Sequence, residues 1–147
     1  MLKRRKKKVN LISEMPKVNS FVKKVKELSE GLYYISETDA EILLFEGTKV
    51  EVVTKEIILS QTKNAPNAPI EERNFTEIFA RLTVVQDWFG DEECAIAKRF
   101  SALQNFLEEN LKDLRVFKIG SIQIDIYFVG LDAEGNLMGI QTKAIET

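Results

Sequence analysis

The residues with the most chemical potential sit in two places. One is the run Gln86-Asp87-Trp88-Phe89-Gly90-Asp91-Glu92-Glu93, which joins acids to the only tryptophan; the other is the end of the chain, Glu146-Thr147. A carboxylate, a hydroxyl and a terminal carboxylate at one tip suit hard cations and basic sites built for phosphate. There is no histidine, so Ser-His-Asp and Cys-His nucleophilic machinery and the commonest zinc ligand are missing. The seven glycines never gather into a phosphate-cradling loop. Carboxylate pairs such as Glu37 with Asp39, or Glu92 with Glu93, have the chemistry of an acid–base couple or a Mg²⁺ site, but acids in loops and first helical turns are most often simply solvated. The expectation is a protein that is not an enzyme and carries no cofactor. Trp88 has two readings: an interface anchor that offers a large rigid area at low entropic cost, or a core residue anchoring the start of a helix. Gln86, Asp87, Gly90 and Asp91 favour the surface, and Val84, Val85 and Phe89 favour burial.

The elements that must hold these residues follow from periodicity. Val18, Phe21, Val22, Val25 and Leu28 fall at helical spacing from Lys17, with Gly31 placed to stop the helix near Glu30. Ile42-Leu43-Leu44-Phe45 predicts a buried strand after the polar loop Ser36-Glu37-Thr38-Asp39. Val52 to Thr62 suits either a strand or a helix begun at Thr54, and we favour the helix. Residues 64–69, with two prolines and two asparagines, form a loop. Asn74 or Thr76 caps a short helix to Arg81 that buries Phe75, Ile78 and Phe79. Three acids from Asp91 mark the start of the longest helix, which runs to about Leu111 with the stripe Ile96, Phe100, Leu103, Phe106 and Leu107. Val116–Ile119, Ser121–Val129 and Leu137–Thr147 read as strands, the last two joined through 131–136 as a hairpin. Apolar residues of both parities in these strands predict a sheet covered on both faces. The fold class expected is α+β: a three-layer α/β/α sandwich around a mixed, antiparallel-rich sheet.

At 147 residues the chain fits one domain, here 17–147, preceded by a basic arm over 1–16. Six of the 21 Lys and Arg lie in residues 3–8, which leaves 15 bases against 23 acids and a net charge of −8 in the remainder. Such a body repels nucleic acid and attracts basic partners, and only the arm has the charge to touch nucleic acid. The arm lacks the apolar stretch of a signal peptide, no segment has the roughly 18 consecutive apolar residues of a membrane span, and Cys94 has no internal partner for a disulfide. The expected setting is the cytoplasm, with no membrane partner. Met15 before Pro16 also suits a start downstream of the arm.

One resemblance unites these features. Gly31-Leu32 with Ser36-Glu37, Phe45-Glu46-Gly47, Glu56-Ile57-Ile58-Leu59 with Gln61-Thr62, Gln86-Asp87-Trp88 with Asp91-Glu92-Glu93, Asn136-Leu137 with Gly139-Ile140, and the ending Thr142-Lys143-Ala144-Ile145-Glu146-Thr147 resemble the nuclease A inhibitor family from Ser20 to Thr147. The resemblance implies a pathogenesis-related-protein-1-like α/β/α sandwich and inhibition of a sugar-non-specific, Mg²⁺-dependent DNA/RNA endonuclease, bound by a monomer in a 1:1 complex. It assigns the inhibitory glutamate to Glu37, interface residues to Asp87 and Trp88, and to Thr147 a contact with the nuclease's Mg²⁺ in the complex alone. The family has a second glutamate where Thr38-Asp39 follows Glu37 here, and a tyrosine and an acid where this chain has Phe89-Gly90. Two other readings stay open: a binding module of the same fold with a non-nuclease partner, and a nucleic-acid adaptor acting through the arm.

Overall fold

The computed structural model describes residues 15–147, with side chains from Ser20; the basic segment of residues 3–8 and the side chain of Val18 lie outside them. Helix α1 (Met15–Ser29) is followed by a small hairpin, β1 (Tyr33–Ile35) and β2 (Asp39–Glu41), then β3 (Leu43–Lys49), α2 (Lys55–Gln61), β4 (Ile70–Arg73), α3 (Phe75–Thr83), α4 (Asp91–Asn110), β5 (Lys112–Ile119), β6 (Gln123–Leu131) and β7 (Asn136–Ile145). The hairpin forms a two-stranded sheet; the other strands form one of five, in the order β3-β7-β6-β5-β4. The fold is α+β, but the expected mixed sheet is not observed, because every pairing is antiparallel. Each main-sheet strand adjoins its partner through a hairpin or a return from the opposite direction, and no strand–helix–strand crossover places parallel neighbours together.

Two apolar clusters lie on opposite parities of the sheet. Val116, Ile126, Phe128, Ile140 and Ala144 pack with Phe21 and Val25 of α1, Phe75, Ile78 and Phe79 of α3, and Phe100, Leu103 and Leu107 of α4. Phe117, Ile119, Tyr127, Val129 and Leu137 pack with Phe45 and with Ile58 and Leu59 of α2. Burying an apolar side chain of this size contributes about 1.5–3 kcal/mol against leaving it exposed.

Helix starts follow the capping chemistry of the sequence. Asn74 Oδ1 accepts the Glu77 N–H at 2.9 Å, and Thr54 Oγ1 accepts that of Ile57 at 3.2 Å. Glu93 Oε1 accepts the Gly90 N–H at 2.9 Å where α4 begins. At the other end of α1, Arg99 of α4 donates to the carbonyls of Leu28 (3.2 Å) and Glu30, satisfying acceptors that a helix C-terminus leaves open. Asp132 Oδ1 accepts from the Glu134 and Asn136 N–H groups in the β6–β7 turn, and Gly135 takes φ +82° there, a conformation that costs glycine little.

Four expectations need correction. In α4 Phe100, Leu103 and Leu107 are buried as expected and Phe106 stacks on Phe21, but Ile96 is exposed and Ala97 is buried instead. Strand β6 starts at Gln123, leaving Ile122 exposed. Ile42 is buried but precedes β3 instead of opening it. Strand β7 ends at Ile145, so Glu146 and Thr147 lie beyond it.

Candidate functional site

Strands β1 and β2 pair Ile35 with Asp39 at their closest approach, leaving Ser36-Glu37-Thr38 as the turn. The Ser36 N–H donates to the Thr38 carbonyl at 2.9 Å, and the Ser36 hydroxyl donates to the same oxygen at 3.1 Å. A short serine-stitched turn therefore carries Glu37 at its tip. The hairpin is fixed to the sheet because the Thr142 hydroxyl, on β7, lies 2.9 Å from the Glu41 carbonyl and 3.3 Å from that of Ala40.

The end of the chain meets this tip. The Ile145 N–H donates to Ser36 Oγ (3.1 Å), and the Glu37 N–H donates to the Ile145 carbonyl (3.4 Å). Two residues on, Glu37 Oε2 accepts both the Thr147 N–H (2.9 Å) and the Thr147 hydroxyl (2.6 Å). Positions 110 residues apart thus share one carboxylate oxygen, and both residues are exposed. The Thr147 hydroxyl and then its N–H hold the Glu37 carboxyl below its ordinary value of 4.5, since both bonds favour the ionised form over a small opposing desolvation. Among the described residues Glu37 forms no ion pair, so none of them neutralises its negative charge.

Asp87 and Trp88 occupy the centre of a turn closed by the Phe89 N–H donating to the Gln86 carbonyl at 3.1 Å. The core reading of Trp88 does not hold, because the side chain is 73% exposed; its ring makes a T-shaped contact with Phe89, centroids 4.7 Å apart. Val84 and Val85, which favoured burial in the sequence, are exposed as well. Between α3, α4 and the small hairpin lies a cavity of about 580 Å³ whose lining includes Tyr33, Ile35, Asp39, Arg81, Trp88 and Phe100. Ile35 and Asp39, which flank the Glu37 turn, line the same recess as Trp88.

Sequence reasoning missed the supports of this tip. Ser36 stood in the quoted motif without a role. Lys118, on β5, donates to both carboxylate oxygens of Glu146 at 3.1 and 2.9 Å, and the Glu146 N–H donates to the Ile122 carbonyl at 3.0 Å. Local spacing signals neither contact: the first spans 28 residues between β5 and the segment after β7, and the second extends the β6–β7 ladder past its ends. Other chemistry is sparse. Cys94 is a half-buried free thiol, and among the described residues no group of three or more Cys, Asp or Glu side chains is placed to hold a metal ion. No helix among those residues is long and apolar enough to cross a membrane.

A search of curated proteins finds no match. The family model described as nuclease A inhibitor-like protein matches residues 19–147, a span that takes in the Ser36–Thr38 turn, the Asp87–Trp88 turn and the chain end alike. On that match over nearly its whole length, the chain belongs to the nuclease A inhibitor-like protein family.

Proposed function

We propose that this protein is a non-enzymatic inhibitor of a sugar-non-specific, Mg²⁺-dependent DNA/RNA endonuclease, acting in the cytoplasm as a monomer that forms a 1:1 complex. In this reading the helices on the two sheet faces make the three-layer α/β/α sandwich of the pathogenesis-related-protein-1-like type, residues 17–147 form the inhibitory domain, and residues 1–16 are an arm outside it. The observation that carries the proposal is the bonding of Glu37 and Thr147 into one exposed, anionic group of oxygens. A nuclease presents cations and a metal to a phosphodiester, and fixed oxygens of similar charge and spacing compete for the same place. Glu37 keeps a net negative charge for nuclease cations. The Thr147 hydroxyl donates its hydrogen bond to Glu37, which leaves its lone pairs for the nuclease's Mg²⁺ or a water bound to it.

Asp87 and Trp88 supply the second contact. Exposed Tyr33, Ile35, Val84, Trp88 and Ile96 line the recess beside the acidic tip, and an apolar patch next to a charged one is a common mark of a protein interface. The net charge of −8 over residues 9–147 speeds association with a basic enzyme and loses that effect as salt rises.

The test is titration of the protein into a DNA-cleavage assay of a non-specific, Mg²⁺-dependent endonuclease from the same host. Saturable inhibition at one equivalent, weakened roughly tenfold or more by Glu37→Ala, is expected. Full cleavage at a large excess of folded protein over every such host nuclease would refute the proposal and leave a binding module with a different partner.

A further inference from the structure

The last three residues are held alternately from two sides. Ile145 is tied to the small hairpin through Ser36 and the Glu37 N–H. Glu146 is tied to the opposite side, through the Ile122 carbonyl and the Lys118 ammonium. Thr147 returns to the hairpin at Glu37. Resting on the inhibitory reading above, we propose that Lys118 is a positioning residue for the inhibitory tip: by clamping Glu146 it fixes the chain beyond β7, so that Thr147 meets Glu37 before any partner arrives.

The environment of Lys118 sets this pair apart from the other ion pairs of the described residues. Its side chain is 11% exposed, while the basic members of the other pairs are 27% to 78% exposed. A buried ammonium is retained only when paired, and here both oxygens of one carboxylate serve it. Lys118 stands opposite Ile126 in the register of β5 and β6, and Ile126 stands opposite Thr142 of β7. The anchor therefore springs from a strand in the middle of the sheet, not from a mobile surface loop. Chain ends fray unless tied down, and an inhibitor whose tip is competent only part of the time binds more weakly in proportion to that fraction. Without the Lys118 clamp, Glu146 keeps only its backbone bond to the Ile122 carbonyl and Thr147 its two bonds to Glu37.

The experiment combines Lys118→Met with amide hydrogen exchange at Thr147 in the free, full-length protein, and with inhibition of the endonuclease. Faster exchange at Thr147, a melting temperature close to that of the native protein and inhibition weakened about tenfold are expected. Lys118→Arg should restore both readouts. The penalty of Lys118→Met should vanish when Thr147 is deleted, because the two changes act on one element. Should Lys118→Met fail to fold, Glu146→Gln breaks the same charge pair from its more exposed side and is read identically. Unchanged exchange at Thr147 in a folded variant, or a penalty that persists in full without Thr147, overturns the positioning role. A native protein that inhibits no nuclease overturns the inhibitory reading instead, and exchange at Thr147 then still decides whether Lys118 orders the tip.

Discussion

Replacing Trp88 with alanine tests whether the aromatic turn serves binding or folding, because the geometry assigns it almost no folding role. A tryptophan side chain offers up to about 250 Å², and at 73% exposure roughly 180 Å² remains for a partner to cover. At about 25 cal/mol per Å², covering half of that contributes about 2 kcal/mol, which matches the lower bound for an interface hot spot and corresponds to roughly thirtyfold in Kd. Within the free protein the alanine variant loses the T-shaped contact with Phe89, worth about 1 kcal/mol, or about 2–4 °C in Tm for a chain of this size. Phe79→Ala provides the contrast: that ring is 0% exposed, and its loss should cost about 3–5 kcal/mol of stability. The assay pairs a urea or thermal unfolding curve with an inhibition titration of each variant. Inhibition by Trp88→Ala within about threefold of the native protein, with unfolding unchanged, would remove Trp88 from the interface. A Tm loss of about 10 °C or more would show that the ring serves folding, against the observed exposure.

Three further expectations follow. Glu37→Ala should weaken inhibition roughly tenfold or more, because it removes the charge and the partner of Thr147 together, whereas Glu92→Ala, an exposed acid in the first turn of α4, should alter mainly the association rate and its salt dependence; equal inhibition by the two variants in a titration contradicts the assigned roles. The Glu37 carboxyl titrates below its ordinary value of 4.5 because the Thr147 hydroxyl and N–H bind its ionised form. A depressed carboxyl contributes stability that is present above the ordinary value and is lost as pH falls through the lower folded value, so the tip should hold through neutral pH and open only in acid. An NMR titration reads this directly, and Thr147→Val should move the Glu37 midpoint back up by removing the larger of the two causes; an unmoved midpoint denies the hydroxyl bond. Asn74→Ala should cost about 1 kcal/mol in a urea unfolding curve by freeing the Glu77 N–H at the start of α3, and no loss of stability would mean that the cap is dispensable.

Wherever a signal is local, the sequence was sufficient. Thr54 and Asn74 begin helices because their oxygens reach an N–H three residues on, and Asp91-Glu92-Glu93 at the positive end of α4 are likewise a short-range effect. The β6–β7 hairpin was legible from its alternation and its turn residues, and the family to which the chain belongs from ordered motifs along its length. What could not be read is what pairing alone creates. Strand β4 is Ile70-Glu71-Glu72-Arg73, without apolar alternation, and is a strand because β5 offers it an edge. Tyr33–Ile35 and Asp39–Glu41 are three residues each, too short for a period to show. The stripe of α4 held at Phe100, Leu103, Phe106 and Leu107, but at its start Ala97 is buried and Ile96 exposed, because packing against its neighbours decides which flank is covered. Trp88 had equal sequence arguments for core and surface until the turn from Gln86 to Phe89 set it in solvent. The meeting of Glu37 with Thr147, and of Lys118 with Glu146, belongs wholly to the tertiary structure. Residue types state what each group can bond, but contacts spanning 110 and 28 residues exist only once the sheet register has brought the hairpin, β5 and the end of β7 to one place.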